Sequence, residues 1–171
     1  MSPSTTKKNS RKMDPANLLE VRMLRKVPGT DITVSGKIDY YDVRSLTLYD
    51  YKTMADKGVH IIARNGLKKE HIWQTNIYRW LLDGGLNDKT GQEMFYPIEE
   101  IKIVYLMMKN VYVTGNKYLY KEIGKPDKSI VLDPVPIYGN DKVEDFLITK
   151  TKMLTESDPP PHNDKSLRWI C

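Results

Sequence analysis

Cysteine is almost absent from this chain: there is one, Cys171, and it is the last residue. A lone cysteine excludes an intrachain disulfide and any metal centre built only from cysteines of this chain. No apolar run approaches the ~18 residues that a membrane-spanning helix needs, so no membrane partner is expected. The opening residues, Met1-Ser2-Pro3-Ser4-Thr5-Thr6-Lys7-Lys8, lack the apolar segment of a secretory signal. The expected workplace is therefore the cell interior, the cytoplasm or nucleoid. Acids are missing from the first twelve residues, where Lys7, Lys8, Arg11 and Lys12 fall. No internal repeat is visible.

What remains is a chain of 171 residues, 40% hydrophobic and 29% charged, which suits one globular domain with a buried core. Four of its net five positive charges lie in the basic tail. A basic tail releases counterions from phosphates and so favours a nucleic-acid partner, although it serves equally as a solubilising segment. Residues 1–13 have no periodicity and read as disordered.

The body, residues 14–157, reads as alternating strands and helices. Leu18 to Val27 reads as a strand with Leu19, Val21 and Met23 on one side. The Pro28-Gly29-Thr30-Asp31 turn leads to a second strand, Ile32 to Asp42, and a short link to a third, Ser45 to Lys52. Residues 55–67 read as a loop. Lys68 to Leu82 has the strongest helical pattern, and Gly84-Gly85 stands where a helix ends. A polar loop follows, then the apolar strand Ile101 to Val113. Tyr118 to Ile123 and Ser129 to Val135 read as short strands. Asp141 to Leu154 reads as a helix with Val143, Phe146, Leu147 and Met153 on its apolar side. The proline-rich segment 158–171 is irregular. This order predicts an α/β (α+β) domain with a mixed sheet and flanking helices.

The chemistry concentrates between Gly36 and Tyr78. Asp50 and Lys52 are two apart on one strand, so they project from the same face while Tyr49 and Tyr51 face the other way. Asp39 lies on the preceding strand and reaches the same end of the sheet if the two pair as a hairpin. Two carboxylates and the Tyr51 backbone carbonyl form an oxygen donor set suited to Mg²⁺ or Mn²⁺. A cation held there polarises a phosphate and acidifies a bound water, and a lysine beside it shares the developing charge. The plainer reading of Asp-x-Lys is a solvated surface pair. Gly36 marks either close approach of a ligand to the backbone or a bulge. Gln74 and Tyr78, spaced i and i+4, share a helix face and can donate to a phosphate or hold a metal ligand in place. The plainer reading makes Tyr78 a core aromatic.

Gly36-Lys37-Ile38-Asp39, Asp50-Tyr51-Lys52 and Gln74-Thr75-Asn76-Ile77-Tyr78 occur in that order. Together they resemble the motifs of the PD-(D/E)XK nuclease superfamily, in its RecB-like branch, which includes CRISPR-associated exonucleases. The resemblance is strongest over residues 18–82. It implies a restriction-endonuclease-like core and a metal-dependent DNA nuclease, by analogy an exonuclease of DNA repair, recombination or phage and CRISPR-type processing, working within a larger complex. It implies Asp39 and Asp50 as metal ligands, Lys52 as the catalytic lysine, Gln74 and Tyr78 as groups that organise the site or contact DNA, and Glu20 as a further acid. The family's helix before the first strand is not evident. Several relatives carry an iron–sulfur cluster on four cysteines. The Trp169-Ile170-Cys171 ending reads either as the start of such a group cut off at its first cysteine or as an incidental terminal cysteine, and one cysteine cannot hold a cluster. Two other readings stay open: a non-catalytic nucleic-acid-binding or assembly module on the same fold, and a protein-interaction domain unrelated to DNA.

Overall fold

Both hairpins signalled by the turn residues are present in the computed structural model, which describes residues 17–54, 62, 65–107, 129–131 and 134–156. The first is long and bent. Its arms are β1 (Leu18–Leu19) with β2 (Arg22–Lys26), and β3 (Thr33–Lys37) with β4 (Tyr40–Asp42). One antiparallel register runs through both halves, from Leu18↔Tyr41 to Lys26↔Thr33. At the bend the pairing is carried by Glu20 N–H to the Asp39 carbonyl (2.9 Å) and Ile38 N–H to the Val21 carbonyl (3.0 Å).

Each arm reads as one strand in sequence, but the bend divides it between two sheets. Glu20 takes a left-handed conformation (φ 51°), which reverses the alternation beyond it. Leu18 and Met23 are therefore buried, while Leu19, expected on Met23's side, is 71% exposed.

The outer half joins β5 (Thr47–Met54), β8 (Glu100–Met107) and β9 (Ser129–Val131) in a mixed sheet ordered β1-β4-β5-β8-β9. The inner half joins β6 (Asp83–Asn87) and β7 (Glu93–Phe95) in an antiparallel sheet ordered β3-β2-β6-β7. The polar loop expected after residue 85 thus contains two strands. Their glycines and polar side chains hid them, because propensity is weak evidence for strands that neighbouring strands hold in place. The centre of the mixed sheet is a parallel pair running from Thr47↔Glu100 to Met54↔Met107. The mixed α+β class read from the sequence is the one observed.

Two helices occur among the described residues, α1 (Lys69–Leu82) and α2 (Asn140–Glu156). Helix α1 ends on Asp83, whose N–H reaches the Arg79 and Trp80 carbonyls. The Gly84-Gly85 pair then belongs to β6. A Cβ on Gly85 would lie 2.4 Å from the Leu81 carbonyl oxygen, so the strand leaves the helix through a gap that only glycine fits.

The core joins Met23, Ile38, Tyr41 and Leu48 to Trp80, Leu81, Ile101, Ile103, Val143 and Leu147. Helix α2 contributes Val143 and Leu147 as expected, and Phe146 stacks on Trp73 at 3.9 Å between ring centroids. Met153, expected on the apolar side, is 51% exposed, two turns beyond Phe146 near the helix end. The basic tail, most of the 55–67 loop, residues 108–113, the Tyr118–Ile123 strand and segment 158–171 with Cys171 lie outside the described residues.

Candidate functional site

Strand β5 does what its alternation dictates. Asp50 and Lys52 project under α1 and Asp50 is 2% exposed, whereas Tyr51 faces away and is 43% exposed. The Lys52 ammonium lies 2.9 Å from Asp50 Oδ2 and 3.2 Å from Oδ1. Only the Oδ1 contact has hydrogen-bond geometry, which leaves Oδ2 buried without a hydrogen bond. Burial pushes the Asp50 carboxyl pKa above its ordinary value; Lys52 pulls it back and the nearby Asp39 charge adds to the rise.

Helix α1 supplies the other wall. Lys52 Nζ donates to Gln74 Oε1 at 2.7 Å, and Gln74 Nε2 donates to the Tyr78 hydroxyl at 2.9 Å. The i, i+4 spacing that puts Gln74 and Tyr78 on one face therefore yields a chain of contacts Asp50–Lys52–Gln74–Tyr78. Burial, with the charges of Asp50 and Asp39, raises the Tyr78 pKa, so its hydroxyl stays a donor. Having accepted from Gln74, it keeps its own proton for another acceptor.

Gly36 explains how α1 comes so close. A Cβ there would sit 2.7 Å from Leu81 Cδ1 and 2.9 Å from Tyr78 Cε1. The close approach expected at this glycine is thus made by the helix rather than by a ligand, and the β2–β3 register runs unbroken past it, so it is not a bulge either.

Asp39 reaches β5 by a different route. The β4–β5 ladder runs from Asp42↔Thr47 to Tyr40↔Tyr49. Continued by two residues, the same register would set Tyr51 opposite Ile38, but the Ile38 amide is bonded to Val21. Asp39 Oδ2 accepts the Tyr51 N–H instead, at 2.7 Å. In a strand the N–H and C=O of one residue point the same way, so the Tyr51 carbonyl is directed to the Asp39 edge of β5.

The donors present are two carboxylates in mutual electrostatic reach, one of which has a buried oxygen lacking a hydrogen bond, and one backbone carbonyl. They fit a small hard cation that keeps several waters. Among the described residues, no cluster of three or more His, Cys, Asp or Glu side chains could hold a metal ion. Glu20 does not extend the set: its carboxylate lies 2.7 Å from Lys37 Nζ in an exposed pair. The Lys37 hydrogen bond and charge hold its pKa below the ordinary range. The bend that breaks the expected strand at Glu20 is the physical reason, since its side chain no longer follows the strand alternation.

Two site-wall residues escaped the sequence reading. Tyr105 on β8 is the direct partner of Lys52 in the parallel ladder, and its hydroxyl is hydrogen-bonded to His71 Nδ1, one turn before Gln74. Burial, with Asp50 nearby, pushes the Tyr105 phenol up to about 12, while burial and the Lys52 charge lower the His71 pKa. The available signal was the i, i+3 spacing of His71 and Gln74. Tyr105 lay hidden in an apolar run.

Among the described residues, no helix is long and apolar enough to cross a membrane. No family model and no curated protein matches the chain. Among solved structures it is similar to one titled "Crystal structure of SSO0001", at 22% identity and a TM-score of 0.46, over 82% of this chain and 51% of that one. The chain thus spans about half the length of that structure. A likeness this loose has no bearing on the chemistry of the site.

Proposed function

We propose that this protein is a metal-dependent deoxyribonuclease with a PD-(D/E)XK core of the RecB-like kind. One observation carries the reading: a buried aspartate paired with a partly exposed lysine on a central strand, tied by Gln74 and Tyr78 to a helix that glycine alone lets approach. A surface ion pair has no need of that support. A buried carboxylate is costly to hold even beside a cation, so stability alone does not explain Asp50.

Asp39, Asp50 and the Tyr51 carbonyl would hold Mg²⁺ or Mn²⁺, which supplies Lewis-acid polarisation of a phosphate oxygen and a more acidic water. The chain's own groups do the rest. Lys52 places a positive charge against the phosphorane oxygens as water adds to phosphorus and the P–O ester bond breaks. Gln74 fixes the ammonium so that it need not reorganise. Tyr78 offers its remaining proton as a hydrogen bond to a phosphate oxygen. DNA is the expected partner, within a repair, recombination or phage-type complex.

The test is incubation of end-labelled linear DNA and closed circular DNA with Mn²⁺. Loss of the linear substrate alone, abolished in Lys52→Ala, supports an exonuclease. Loss of both supports an endonuclease. Intact DNA across a titration of folded protein overturns the reading. A binding module without cleavage is the second reading. What favours it is that Lys52 already occupies the Asp50 carboxylate and, among the described residues, no third acidic ligand stands beside it. It predicts salt-sensitive DNA binding that survives Asp50→Ala.

A further inference from the structure

Helix α1 makes two side-by-side contacts with the central parallel strands. Gln74 meets Lys52 on β5, and His71 meets Tyr105 on β8. Lys52 and Tyr105 are direct partners across the ladder, so their side chains leave the same face about 5 Å apart. His71, Gln74 and Tyr78 are spaced i, i+3 and i+7, which places them along one face of the helix. The site wall therefore continues from Tyr78 through Gln74 to His71.

Tyr105 as a whole is 1% exposed and its phenol stays protonated, so its hydrogen needs an acceptor. Among the described contacts that acceptor is His71 Nδ1. A neutral imidazole that accepts at Nδ1 carries its hydrogen on Nε2. The ring is only partly buried, and burial and Lys52 both favour its neutral form.

We infer that His71 is a substrate-binding residue, its Nε2–H donating to a phosphate oxygen of bound DNA on the β8 side of Lys52, with Tyr105 fixing the tautomer. The inference rests on the nuclease reading and extends that site by one strand. Tyr105 acts through His71 and is a positioning residue. A neutral donor there holds an anionic oxygen without adding a second cation beside Lys52.

Two substitutions separate the ring's edges. In His71→Asn the side-chain amide reaches about as far as Nδ1 and can still meet Tyr105, but the distal donor is lost. In His71→Gln a donor is restored near Nε2. The measurements are kcat/KM on end-labelled linear DNA with Mn²⁺, metal-free DNA affinity by fluorescence anisotropy, and urea midpoints for each variant. A hydrogen bond to a charged group is worth roughly 10- to 100-fold, so His71→Asn should lose that much in affinity and in kcat/KM, with His71→Gln within about threefold of the unaltered protein. The reverse order makes His71 only a structural partner of Tyr105 and overturns the inference, as do equal values in all three proteins. Should either variant fail to fold, imidazole ¹⁵N NMR of the unaltered protein decides. An Nε2–H tautomer whose resonance shifts on adding DNA upholds the inference; an Nδ1–H tautomer, or no shift, overturns it. If the unaltered protein leaves DNA intact, the nuclease reading falls and takes this inference with it. If it cleaves and only the variants disagree, the inference alone falls.

Discussion

The central strands carry the same short pattern twice, and only one copy builds a site. Asp50-Tyr51-Lys52 lies on β5 and Glu100-Ile101-Lys102 on β8, its parallel neighbour. Each acid sits on its lysine, at 2.9 Å in the first pair and 2.7 Å in the second. The lysine side chains are similarly exposed, 23% against 29%, but the acids are not, 3% against 38%. Register explains the difference. Asp50 and Lys52 share a face with Ile103 and Tyr105, under α1, whereas Glu100 and Lys102 share one with Thr47 and Tyr49. Spacing decides that acid and lysine act together. The covered face decides whether water already solvates them.

Four measurements can break that contrast, beginning with the largest effect. Lys52→Ala should lower DNA degradation by at least about 10²–10³-fold, the usual cost of removing a preorganised charge-stabilising group. Lys102→Ala should leave it within about twofold, read on the same end-labelled DNA. Equal losses would mean that burial does not separate the pairs.

The second measurement is stability without metal. Lys52→Ala leaves the Asp50 carboxylate buried and unpaired, which should cost up to about 3 kcal/mol by urea denaturation at pH 8. The Asp50 pKa is already raised in the folded state. A raised pKa gives a contribution that is present below the unfolded value and lost as pH rises through the folded one. Removing Lys52 raises that pKa further, so the deficit should shrink toward acidic pH. A deficit that grows on acidification would contradict this account.

Third, Gly36→Ala should destabilise the fold by about 1–3 kcal/mol, since its methyl group would meet Leu81 and Tyr78 and push α1 away from Lys52. Activity should fall with it. The urea midpoint and the cleavage assay check both. A neutral result would mean that the helix can shift without loss, and the covered face would no longer explain the site. Last, Glu100→Gln should leave the urea midpoint essentially unchanged, as expected of an exposed pair. A larger shift in midpoint would show that the outer pair is not a surface feature.

Much of the site was legible because its rules are local. Two-residue alternation put Asp50 with Lys52, and four-residue spacing put Gln74 with Tyr78. The two hairpins were legible from their turn residues. What escaped notice depended on distant partners. The bend at Glu20 splits each arm between sheets and takes Glu20 to Lys37 instead of the site. Strands β6 and β7 form because β2 and the end of α1 hold them, not because their residues favour strand.

The Gly36–Tyr78 stretch therefore divides cleanly by cause. By itself the sequence determined which side chains leave the backbone together, because the strand and helix periods are properties of the chain. The tertiary structure alone decided that Asp50 is buried, that Asp39 accepts the Tyr51 amide where the β4–β5 ladder ends, and that Gln74 and His71 land on Lys52 and Tyr105. Those last two contacts join residues 22 and 34 positions apart. No local period encodes such separations. They follow from the packing of α1 over a parallel strand pair, at the distance that the missing Cβ of Gly36 allows.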